Sequence, residues 1–262
     1  MSEKITIFNL DEVVKTNQEI KKEIVKYVML IQTQFNKAQI NSSPQLAFQL
    51  LKSMGLLQMP IENTFLSGAI YVRDEKLIPF INTALPRANQ YFTAWHELYH
   101  LLFDKVSFDY IIENDSTIEE RKAEYFASKM LLGNLMSYYA DLPQNMDFQS
   151  KVFNCMAVFQ APYKAVLIAL YEEAMLTANS EIMKSVKENF ELRFDDIEER
   201  FTLLGLDTTL ILPSQVVNLN GLQEKIDENI QKNPELKYHG DNAVYLKKIM
   251  EEIELVKNDA NK

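Results

Sequence analysis

Apolar positions in residues 11–38 recur at helical spacing. Val14, Ile20, Ile24, Val28, Ile31 and Phe35 alternate with stretches that hold Lys15, Lys21, Lys22 and Glu23. That period predicts a long amphipathic helix. A second helix is expected from Ser43 to Met54, where Ser43 can cap, Pro44 suits the first turn and Gly55 stops the run. Both helices are expected to pack over a core formed further along the chain. The period then changes. Within 68–82, Ala69-Ile70-Tyr71-Val72-Arg73, Asp74-Glu75 and Lys76-Leu77-Ile78-Pro79-Phe80-Ile81-Asn82 read as a β-hairpin. Pro79 lacks an N–H donor, so its strand is expected at a sheet edge. An edge strand beside a cleft can hold an extended peptide by main-chain pairing, although the same pattern fits a plain structural hairpin.

Pro86 suits the start of the next helix, which holds His96 and His100. A loop over 104–115 and a helix from Thr117 to Leu132 follow. Helices over 147–159 and 162–175 have the outline of a helix-turn-helix. The second of them, Pro162 to Tyr171, carries one base among many aliphatics, so it is expected in the core and not on DNA. Beyond it, Ala178-Asn179-Ser180 reads as a short linker and Glu181 to Phe201 as a charged helix. Leu210-Ile211-Leu212 and Val216-Val217 read as short strands around Pro213. Gly221–Lys232 and Asn242–Val256 read as helices. The fold class expected is α+β and mostly helical, with a small β-hairpin or sheet. Its organisation is a domain over 1–178 and a mainly helical C-terminal extension over 179–262. For the extension, substrate recognition, inhibition in cis and dimerisation all stay open.

The apolar share of 47% and charged share of 24% are ordinary for a globular chain. The net charge is −10, and no basic cluster exceeds two adjacent lysines, as at Lys21-Lys22. Nucleic-acid binding needs a basic face to neutralise phosphates, so no direct contact with nucleic acid is expected. Cys155 is the single cysteine, which excludes an intrachain disulfide and fits a small core residue better than a nucleophile. Met1-Ser2-Glu3-Lys4 does not open a signal peptide, and no apolar run reaches membrane-span length. A cytoplasmic protein without membrane contact is expected.

The candidate chemistry lies in His96-Glu97-Leu98-Tyr99-His100, an H-E-x-x-H motif that uses two of the chain's 3 histidines. Residues four apart share a helix face, so both imidazoles can reach one zinc ion, with Glu97 beside them as a base. Tyr91, Phe92, Trp95, Leu98, Tyr99, Leu101, Leu102 and Phe103 make this helix apolar nearly all round. Two histidines and a glutamate buried there are costly unless paired or metal-bound. A catalytic zinc site needs a third protein ligand. Ser116 and Glu119 fit a capping box, which would occupy Glu119 and leave Glu120 as the metal ligand. Glu124, one turn on, is placed to hydrogen-bond a ligand imidazole. A solvated glutamate-rich helix face is the plain alternative.

These residues resemble the ImmA/IrrE family of zinc metallopeptidases. The resemblance covers roughly residues 65–135 and is carried by Ile81-Asn82, Pro86-Arg87, Phe92-Thr93-Ala94-Trp95-His96-Glu97-Leu98-Tyr99-His100 and Glu120-Arg121-Lys122-Ala123-Glu124-Tyr125-Phe126-Ala127. It implies a zincin-like, gluzincin-type core in which His96, His100 and Glu120 bind Zn2+ and Glu97 is the catalytic base. It also implies a regulatory substrate, such as a DNA-binding repressor of a mobile element or stress pathway. Tyr99 stands where the family favours a small residue, and it is expected to crowd the substrate cleft. Lys122 and Leu132-Gly133 also depart from the pattern, and neither removes a proposed ligand. Many relatives carry a helix-turn-helix domain at the N-terminus, and none is expected from residues 1–64 of this sequence.

The function expected is a zinc-dependent endopeptidase acting on a protein or peptide substrate. The transition-state donor stays open among Tyr91, Tyr99, Tyr125 and His239, the last read as a surface-loop histidine. The rival is a non-catalytic, zinc-stabilised module that sequesters a regulator or toxin. The intact Glu97 argues against it, since metal binding alone does not need that carboxylate. Oligomeric state is not legible in the sequence.

Overall fold

A computed structural model describes residues 5–35, 43–73, 76–104 and 116–259. The chain is mostly helical with one small sheet, so the α+β class holds. Helix α1 (Leu10–Phe35) buries Leu10, Val14, Asn17, Ile20, Ile24 and Ile31 along one stripe. Helix α2 (Ser43–Ser53) ends before Gly55, which takes a positive φ of 88°. The strands are β1 (Leu57–Met59), β2 (Gly68–Arg73) and β3 (Lys76–Asn82), in the order β1-β3-β2. β2 and β3 form the expected antiparallel hairpin, with Gly68 opposite Ile81 and Arg73 opposite Lys76.

The edge strands are β1 and β2, and Pro79 lies in the central strand. The register explains how a proline fits there. The Asn82 N–H donates to Ser67 O on the β2 side, so residues of alternate parity, Pro79 included, face β1. Parallel pairing with β1 begins only at Phe80, opposite Leu57. The donor that Pro79 lacks would have had no strand partner.

Helix α3 (Arg87–Phe103) carries the H-E-x-x-H motif, and α4 (Ser116–Leu131) packs along it. Trp95, Leu98 and Tyr99 of α3 and Ala123, Tyr125, Phe126 and Ala127 of α4 are buried in one cluster with the α1 stripe. The expected Ser116 cap lies outside the described side chains. Helix α5 (Leu135–Asp141), which the sequence pattern did not single out, precedes α6 (Phe148–Phe159) and α7 (Tyr163–Leu176). The Asp147 side chain accepts from Ser150 N and caps α6. Helix α7 buries Val166, Leu167, Leu170 and Tyr171, as expected of a core helix. Among the described residues no single helix is long and apolar enough to cross a membrane.

The charged stretch expected as one helix from Glu181 to Phe201 is two: α8 (Ser180–Asn189) and α9 (Ile197–Leu203). The chain turns between them to bury Phe190 and to set Phe194 against Phe153 and Tyr163. The strands expected at 210–212 and 216–217 are not formed. A short 3₁₀ helix (Thr208–Ile211) is followed by single bridges, Pro86 to Pro213 and Gln58 to Asn218. Pro213 cannot donate to a ladder, which limits pairing there to isolated contacts. This segment nonetheless ties the extension to the start of the motif helix: Arg87 N donates to Leu212 O, and Arg87 Nη1 donates to Thr209 O.

Helices α10 (Leu222–Lys232) and α11 (Tyr238–Asp259) pack on each other, burying Ile226, Leu246 and Ile253. His239 is buried at the start of α11, not exposed in a loop.

Candidate metal centre

The apolar face of α3 packs against α4, and the two helices bring their polar side chains to one point. The Nε2 atoms of His96 and His100 are 3.3 Å apart. Glu120 places Oε2 3.4 Å from His96 Nε2 and Oε1 3.6 Å from His100 Nε2. Ligand atoms bound tetrahedrally to a cation with zinc's bond lengths lie ~3.3–3.5 Å apart. One ligand atom from each of the three side chains lies within 4.8 Å of the others, so together they could hold a metal ion.

Electrostatics point the same way. Burial opposes charge on His96, but its hydrogen bond to Glu120 and the carboxylates of Glu97, Glu120 and Glu124 outweigh this and hold its pKa above the ordinary value. For His100, burial and the neighbouring His96 outweigh Asp104 and hold the imidazole below its ordinary value. Burial also opposes charge on Glu120, yet the histidines keep its carboxyl below the usual range. Glu97, Glu120 and Glu124 thus act on His96, and Asp104 and Glu120 act on His100. Carboxylates gathered around two close imidazoles suit a divalent cation.

Glu97 lies outside the three-residue donor group and is buried. Burial pushes its pKa up to about 7, against the opposing charge of His96. Its Oε1 lies against Gly68, at the start of β2. A Cβ on Gly68 would stand 2.7 Å from that oxygen and 2.5 Å from Thr93 Cγ2. Only a residue without a side chain lets the edge strand pass this close to Glu97.

A carboxylate that the sequence reading did not single out, Asp104, lies beside the His100 imidazole. Its Oδ2 is 2.9 Å from His100 Nδ1, which directs the Nε2 lone pair toward the cluster when Nδ1 carries the proton. Asp104 is four residues beyond His100 on the same face, so the helical period was the available signal. Glu124 forms a 2.6 Å ion pair with Arg121, and its carboxylate also acts on His96. The Glu119 carboxylate accepts from Tyr99 Oη at 2.7 Å and from Lys122 Nζ at 2.8 Å.

Tyr99 does not narrow a cleft. Its ring is buried beside Tyr27, Phe103 and Phe126, on the core side of α3. The Tyr125 hydroxyl donates to Glu172 at 2.6 Å, and the Tyr91 ring packs against Phe48. The hydroxyls of Tyr99 and Tyr125 are therefore committed elsewhere.

Comparison with curated proteins and with solved structures gave no match. A family model described as the IrrE N-terminal-like domain, Peptidase_M78, matches residues 56–171, a span that holds the sheet, the motif helix, α4 and the helices that support them. The donor cluster lies inside that span, so residues 56–171 resemble the IrrE N-terminal-like domain.

Proposed function

We propose that the chain is a zinc-dependent endopeptidase in which His96, His100 and Glu120 hold Zn2+ and Glu97 is the general base. The observation that carries this reading is the convergence of His96, His100 and Glu120, one ligand atom from each lying within 4.8 Å of the others, with a buried carboxylate beside them that is not one of the three. The bound cation supplies Lewis acidity, which acidifies a water and polarises a peptide carbonyl. Glu97 accepts the proton of the attacking water and returns it to the leaving amine. Its burial beside the donor group places it to carry that proton from one to the other. Asp104 keeps His100 oriented. The free side of β2 offers main-chain groups for an extended peptide, passing Glu97 at Gly68.

The family resemblance favours a regulatory protein, such as a DNA-binding repressor, as substrate. Incubating zinc-loaded protein with candidate repressors tests the reading. Discrete fragments that vanish with a chelator and with Glu97→Gln are expected. A stable complex with no fragments would favour the sequestering module instead.

A further inference from the structure

The loop before β2 is tied down to an unusual degree and carries a bare aromatic side chain. Asn82, fully buried, closes it from the inside. Its Nδ2 donates to the carbonyls of Ile61, Asn63 and Leu66 at 3.3, 3.1 and 3.0 Å. Its Oδ1 accepts from Ile61 N at 3.1 Å and from Ala84 N at 3.0 Å. Within the loop, Leu66 N donates to Asn63 O, and Phe65 N donates to Asn63 Oδ1. These bonds form a β-turn over Asn63–Leu66 whose backbone is held on both sides. At its tip Phe65 is 96% exposed.

A large apolar side chain left in water forgoes its burial energy, and here the backbone beneath it is fixed. Such a residue is a preorganised anchor, since binding costs little further ordering. Its position says what it would grip. Phe65 precedes Gly68 by three residues, so its Cα lies within roughly 10 Å of the point where β2 touches Glu97. That reach corresponds to about two or three residues of an extended peptide paired on β2.

We infer that the Asn63–Leu66 turn is the specificity lip of the peptide site. Phe65 takes a large apolar side chain two or three residues from the bond being cut, and Asn82 is the positioning residue that sets the turn. The inference rests on the peptidase reading above, but its test does not require cleavage.

A displayed library of random 12-residue peptides is selected on zinc-loaded Glu97→Gln protein, with and without Phe65→Ser, and the affinities of the enriched peptides are measured. With Phe65 present, the enriched peptides are expected to share a large apolar residue at one position. The surface change Phe65→Ser is expected to weaken them about tenfold and erase that preference. Adding Asn82→Ser to Phe65→Ser is expected to weaken binding no further, because Asn82 acts through Phe65. A merely structural role would add its own penalty. Equal selection with and without Phe65, or no enriched peptide on either protein, overturns the lip. Lip-dependent binding by a protein that never cleaves would sink the peptidase reading and leave the lip standing. Cleavage that is indifferent to Phe65 would do the reverse.

Discussion

Replacing Gly68 with alanine adds one methyl group where the edge strand crosses the base. Its Cβ would stand 2.5 Å from Thr93 Cγ2, 2.7 Å from Glu97 Oε1 and 3.0 Å from Phe80 O. Ordinary carbon contacts are ~3.5–4.0 Å, so the closest approach is about 1 Å too short. Phe80 O is backbone of the central strand and Thr93 is buried in α3, so neither yields cheaply. Overpacking of this kind costs about 1–3 kcal/mol. In a chain of this size each kcal/mol lowers Tm by roughly 2–4 °C. The easiest relief is a shift of the Glu97 carboxylate, and misplacing a reacting group by about 1 Å costs on the order of a hundredfold in rate. Gly133→Ala is the control, since an added Cβ there meets nothing within 4 Å. Thermal denaturation followed by circular dichroism, with cleavage rates at matched zinc content, makes the comparison. Gly68→Ala is expected to lose both stability and rate, and Gly133→Ala neither. A Gly68→Ala protein that melts and cleaves like the parent would refute the close approach of β2 to Glu97.

Three further outcomes follow from particular contacts. Asp104→Asn removes the carboxylate from His100 Nδ1 and should weaken metal affinity about 10- to 100-fold, read by competition with a chromogenic chelator. Glu172→Ala strips a buried carboxylate from Tyr125 Oη and Gln18 Nε2 and should cost about 1–3 kcal/mol in denaturant unfolding. Asp147→Ala removes the α6 cap and should cost about 1 kcal/mol at neutral pH. Burial opposes the Asp147 charge, but the Ser150 hydrogen bonds outweigh it and lower the carboxyl below its ordinary 3.8. The cap's contribution is therefore complete above that value and fades as pH falls through the lowered one, so acid titration of parent and variant should converge there.

The motif helix, its partner helix, the hairpin and the α6–α7 pair were legible because each repeats a strong local period. The donor set was legible for a related reason: His96 and His100 share a face by spacing alone, and the family pattern pointed to Glu120. What escaped depends on tertiary contacts. Pro79 sits in the central strand because β1 pairs one residue too late to miss its N–H, and no local pattern records where a three-residue neighbour starts. The break between α8 and α9 is made by Phe190 and Phe194 turning inward, in a stretch whose charges read as continuous helix. The segment around Pro213 looked like strand because it is apolar, but its backbone pairs in single bridges with Pro86 and Gln58. Asp104 was within reach of the helical period, and the expected loop boundary hid it. Glu124 has an arginine one turn away, an i,i+3 pair that the spacing of Arg121 and Glu124 made legible.

The central claim is that one cation sits among His96, His100 and Glu120, with Glu97 beside it. Elemental analysis of untagged protein, carried out on the parent, Glu97→Gln and His96→Ala in parallel, tests it most directly. The account predicts one zinc per chain in the first two and a loss of zinc in the third. Parent protein that binds no metal, or His96→Ala that keeps its full share, would contradict it.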